Sequence, residues 1–81
     1  MIQEIKTAYQ NKDYETFERS SHTLKGIVAN FYASTLQEKI LNLENMGRNK
    51  NITNFETEIE LISNNIDKML EEIDQLLKNL N

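Results

Sequence analysis

The sequence has no cysteine, no proline and no tryptophan, and only two glycines among its 81 residues. Without cysteine there are no disulfides and no thiolate metal sites, which fits a reducing compartment. Without proline nothing interrupts long helices, and so few glycines leave almost no material for tight hairpin turns. No Asn-Gly or Asp-Gly pair appears. Apolar runs are only a few residues long, too short to span a bilayer. A basic stripe is also missing: the net charge is -4 and both signs are spread along the chain. That disfavours nucleic acid as a partner. The start, Met1-Ile2-Gln3-Glu4, lacks the basic and apolar regions of a signal peptide. These absences lead us to expect a single all-α domain over residues 1–81, cytoplasmic, with no membrane insertion.

What is present is helical periodicity. Ile2, Ile5, Ala8 and Tyr9 share one side of a short first helix, about Ile2 to Gln10. Asn11 and Lys12 form a tight connection, and Asp13 is placed to cap the second helix. The second helix is expected from about Tyr14 to Phe31. With His22 set at zero and ~100° per residue, Ile27 falls at ~140°, Phe31 at ~180° and Leu24 at ~200°. With Phe17 and Val28 they define the expected buried stripe, so His22 points away from the core. Its face carries Glu15, Glu18, Arg19, Lys25, Gly26 and Ala29.

Ser34-Thr35-Leu36-Gln37 reads as a capping box opening the third helix. Leu36, Ile40, Leu43 and either Leu41 or Met46 face inward. Gly47 stands where a helix stop favours a left-handed residue, and Arg48 follows it. Gly47 to Asn51 is the only loop-like cluster. Thr53-Asn54-Phe55-Glu56 reads as a second capping box. The fourth helix then places Phe55, Ile59, Ile62, Ile66, Met69, Ile73, Leu76 and Leu80 at alternating spacings of four and three. This heptad seam suits an antiparallel four-helix bundle; a dimer zipper is the alternative. At 1.5 Å per residue the helix would reach ~40 Å, more than the second helix covers. The first helix is expected to pack against the excess. The seven acidic residues of the fourth helix read as a solvated face.

The one histidine carries the candidate chemistry. Neutral imidazole is a nucleophile near neutral pH, and a phosphoryl donor on another protein must approach it in line, which requires exposure. Lys25, one turn on, can offset the charge of a phosphoryl group on His22. Gly26 costs about 1 kcal/mol inside a helix relative to alanine, so a steric reason is implied: close approach by a partner surface. Ala29 keeps that path low, while Arg19 and Glu18 flank it. Lone readings remain for each: Lys25 as an ion-pair partner of Glu18 or Glu15, Arg19 as an ordinary salt bridge, Gly26 as a helix contact. Asn30 lies to the side, suited to capping. One histidine without flanking paired carboxylates supplies no metal site.

Residues 22–33, His-Thr-Leu-Lys-Gly-Ile-Val-Ala-Asn-Phe-Tyr-Ala, resemble the signature of histidine-containing phosphotransfer (HPt) domains. Arg19-Ser20-Ser21 upstream and Leu43-Glu44-Asn45-Met46-Gly47-Arg48 downstream are similar as well. The resemblance implies a four-helix bundle without kinase activity of its own. It implies His22 as phosphoacceptor, Lys25 as electrostatic aid and Gly26 as the opening of the docking surface. The partners implied are response-regulator receiver domains, and magnesium would sit on the receiver, leaving this chain without a cofactor. Tyr32 stands where many members have glycine, and the first helix is short for the family; excision from a larger sensor kinase is one source of that.

Three alternatives compete. The dimerisation helices of an orthodox histidine kinase resemble His followed by an acidic residue and then Thr-Pro. Here Thr23 follows His22, no proline exists, and no glycine-rich nucleotide site appears. The phosphoacceptor domain of a chemotaxis-type kinase differs by its neighbouring domains. A plain helical interaction or dimerisation module predicts no role for His22.

Overall fold

The computed structural model describes residues 2–31 and 33–80. They form four helices: α1 (Ile2–Gln10), α2 (Tyr14–Ala29), α3 (Ser34–Arg48) and α4 (Phe55–Asn79). Successive helices run antiparallel, as short connections require, within an envelope of 47 × 18 × 17 Å. No described helix is long and apolar enough to cross a membrane.

The buried stripes meet in one core: Ile5 and Ala8 from α1, Phe17, Leu24 and Val28 from α2, Leu36, Ile40 and Leu43 from α3, and Phe55, Ile59 and Ile62 from α4. Phe55 anchors one end. Tyr9 stacks on it with ring centroids 4.1 Å apart, and Phe17 lies against it at 5.7 Å.

The stripe on α2 is narrower than expected. Ile27 is 43% exposed and Phe31 is 45% exposed. The buried residues Phe17, Leu24 and Val28 centre the core direction at ~220° from His22, so Ile27 sits well off it. Phe31 lies beyond the last residue of α2, where helical angles no longer apply. The flanks of the stripe are instead Ser20 and Ser21, both buried. Small side chains there let neighbouring helices approach.

The connections use different devices from those expected. Asp13 does cap α2, accepting from the Thr16 amide at 3.2 Å, and that hydrogen bond lowers its pKa. Neither capping box forms. At α3 the N-cap is Ala33, and Ser34 is already helical. At α4 the N-cap is Asn54 in the left-handed region, φ 54°, with no side-chain cap, while Thr53 instead faces the Met46 sulfur at 3.9 Å. Gly47 is not the left-handed stop: α3 continues through it to Arg48, and Lys50 adopts φ 55°. Gly47 is glycine for contact. A Cβ there would lie 2.7 Å from Phe17 Cδ1 and 3.2 Å from the Glu18 amide nitrogen. It is a point of close approach between α3 and α2. Of the two alternatives on α3, Met46 packs against the core and Leu41 is 40% exposed. The turn at Tyr32 lies outside the described residues.

The seam of α4 is core only in its first half. Ile66 and Met69 are half-buried, whereas Leu76 is 65% and Leu80 is 80% exposed. The first helix does not cover this excess. Tyr9 sits on Phe55 at the start of α4, and Lys6 and Tyr9 share a groove with Ile59 and Ser63. α1 is too short to reach further.

Candidate functional site

His22 sits in the middle of α2 with its side chain 67% exposed. Its direction, some 140° from the core centre, places it on the shoulder of α2 that borders α3, not diametrically opposite the core. α3 answers with Glu44. The Glu44 side chain is 4% exposed, and its Oε2 lies 2.7 Å from His22 Nδ1. Its other oxygen, Oε1, accepts from Lys25 Nζ at 2.6 Å. Arg48, one turn further along α3, brings Nη2 to 3.6 Å from Glu44 Oε2 and Nε to 3.5 Å from Glu18 Oε1. One buried carboxylate thus gathers the histidine, the lysine and an arginine.

This arrangement decides the chemistry of the ring. A carboxylate accepts only, so Nδ1 must carry the proton and donate. The neutral ring then has its lone pair on Nε2, on the edge turned away from Glu44 and toward solvent. Burial pushes the Glu44 pKa up. The hydrogen bonds from Lys25 and His22, reinforced by the Lys25 charge, outweigh that and hold the carboxyl below its ordinary value. Glu44 is therefore ionised at neutral pH despite its burial, compensated by partners rather than by water.

The other expected site residues fall into two groups. Lys25, Glu18 and Ala29 lie on the α3 side and are half-buried. Lys25 is held by Glu44, and Glu18 pairs with Arg48, not with Lys25. Gly26 and Arg19 lie on the open side. A Cβ at Gly26 would meet nothing within 4 Å, so no contact inside the bundle requires glycine there. Arg19 makes an exposed pair with Glu15 at 3.7 Å, of a kind that contributes little. Asn30 caps α2 through its backbone amide and does not join the cluster.

Glu44 is the residue that periodicity alone missed. Its signal was present: an acidic side chain among Ile40, Leu43 and Gly47, on the inward side of α3, is a buried charge that must find partners. Among the described residues no cluster of three or more histidine or acidic side chains could hold a metal ion.

The family model of the Hpt domain matches residues 1–80, nearly the whole chain. No match is found among curated proteins or among solved structures. A family match of that extent, over a helical bundle with an exposed histidine on its second helix, makes this chain a member of the Hpt domain family, the histidine phosphotransfer domains of two-component systems.

Proposed function

We propose that His22 is the phosphoacceptor, taking a phosphoryl group from a receiver-domain aspartate and passing it to the aspartate of another receiver. The observation that carries this reading is the 2.7 Å contact between His22 Nδ1 and the buried Glu44 carboxylate. In the neutral ring it leaves the attacking lone pair on Nε2, the edge turned away from Glu44. In the forward step the Nε2 lone pair forms the N–P bond while the P–O bond to the aspartate breaks, and the carboxylate departs with the electron pair. The ring becomes cationic as that bond forms, and the ionised Glu44 stabilises it. Onward transfer is the same step reversed at a second aspartate.

Lys25 has a double role in this reading. It neutralises Glu44 in the resting domain and lies close enough to the ring for phosphoryl oxygens to compete for its ammonium. Gly26, bare of contacts, gives the receiver its closest approach. Ala29 continues that low surface, and Arg19 and Glu18 flank it as polar docking groups. The domain is a phosphocarrier; the magnesium and the acidic machinery belong to the receiver. Incubation with a phosphorylated receiver tests the reading: label should move to the wild-type domain and not to His22→Gln. A His22→Gln protein that still takes label sinks it.

A further inference from the structure

Toward its end α4 leaves the bundle and its apolar seam loses cover: Met69 still packs against the core, Ile73 is half-buried, and Leu76 and Leu80 are exposed. From Met69 onward the seam positions Met69, Ile73, Leu76 and Leu80 continue the spacing that is buried earlier in the same helix. The stripe also widens there. Leu70 and Leu77, 53% and 58% exposed, occupy the flank where Glu56 and Ser63 stand in the first half. Three apolar residues per heptad is the pattern of a helix packed in a bundle, not of a free surface helix. A helical segment this short and without tertiary cover is marginal in water.

We propose that two copies of this chain associate through the Met69–Leu80 segments of α4, antiparallel and related by a two-fold axis. The pattern selects both occupant and direction. In an antiparallel pair the seam is self-complementary in one register: Met69 meets Leu80 of the second copy, and Ile73 meets Leu76. One flank then pairs Leu70 with Leu77 of the second copy. The other pairs Glu72 with Asn79, so no like charges face each other. A parallel pair would set Leu77 against the Glu72 carboxylate of the second copy, burying neither well.

The register also lands on a feature of the bundle. Leu80 of the second copy reaches Met69, where Met69, Phe31, Ala33 and Leu36 form the apolar part of a groove rimmed by Lys68 and Glu72. The exposed Phe31 ring borders it. His22 faces α3 and stays clear of this contact, so each copy would keep its phosphoacceptor accessible. The overlap is only about three helical turns, short against the interfaces of stable complexes, so the dimer is weak.

Sedimentation equilibrium from about 10 μM to about 1 mM tests this, a range that spans weak affinities. The weight-average mass should rise from 9.5 kDa toward twice that value. A Leu76→Glu, Leu77→Glu double variant, altered only at exposed positions, should stay at the monomer mass throughout. A wild-type mass that stays monomeric at 1 mM, a trimer or larger assembly, or an unchanged dimer in the double variant each overturns the proposal. Direction is read separately, because the chain has no cysteine of its own. Mixing Glu72→Cys with Asn79→Cys should give the mixed disulfide under mild oxidation. Predominant self-pairing of Glu72→Cys contradicts the antiparallel register.

Discussion

At the scale of single residues, Glu44 explains more of the site than any other side chain. It is buried and ionised, and it accepts from both His22 and Lys25. Removing it leaves the Lys25 ammonium unpaired and the His22 Nδ1–H without its acceptor. Glu44→Ala should therefore destabilise the domain by about 1–2 kcal/mol, the loss of charge-assisted hydrogen bonds whose other partners remain in reach of water, and slow transfer to His22. Glu44→Gln keeps an acceptor for Nδ1–H but loses the charge, so transfer should fall by roughly tenfold with the helices intact, about 1.4 kcal/mol of transition-state stabilisation. Comparing rate and denaturation midpoint for the two variants separates these effects. The pH dependence has a definite sign. The folded pKa of Glu44 is lowered, so its contribution is fully present above the unfolded carboxyl value of ~4.3 and is lost as pH falls through the lower folded value. Urea midpoints between about pH 5 and pH 3 should fall more steeply for the wild type than for Glu44→Gln; parallel curves would mean that the carboxylate is not held as described.

At the scale of helices, the two glycines make opposite predictions. Gly26 is open to solvent inside α2, so Gly26→Ala should stabilise by about 0.5–1 kcal/mol. Gly47 lies 2.7 Å, by its missing Cβ, from the Phe17 ring, so Gly47→Ala should destabilise by about 1–3 kcal/mol. Thermal denaturation of the two variants reads both. Gly26→Leu adds a further arm: under the proposed function transfer should slow although the fold is kept, because the bulk would stand in the receiver's path. Periodicity made the helices legible, down to the bounds of α1 and the Asp13 cap, because each depends on neighbours close in the chain. It located His22 on an exposed face for the same reason. What it did not reveal depends on distant partners. Glu44 acts across 22 positions of sequence, and Gly47 is fixed by Phe17 on another helix. Phe31 and Ile27 looked buried because a wheel assumes that the helix continues and that the core is broad. Ser34 and Thr53 looked like caps because composition cannot show where the first helical turn closes.

At the scale of the whole molecule, α4 divides the domain into a packed part and an extension. Phe55, Ile59 and Ile62 are held by three other helices, whereas Leu70, Leu76, Leu77 and Leu80 touch no such core. Amide hydrogen exchange on dilute protein should show protection near the global limit around Ile59 and Ile62, falling by orders of magnitude beyond Met69. Uniform protection along α4 would mean that the extension is covered even in the monomer. The bundle itself serves one purpose: it holds α2 and α3 in register so that a carboxylate on one fixes the ring of a histidine on the other. The most direct test is to expose the domain to a phosphorylated receiver and map the modified atom by NMR of the imidazole. A single phosphoryl group is expected on Nε2 of His22, with Nδ1 still protonated against Glu44. Phosphorylation at Nδ1, or at any residue other than His22, would contradict it.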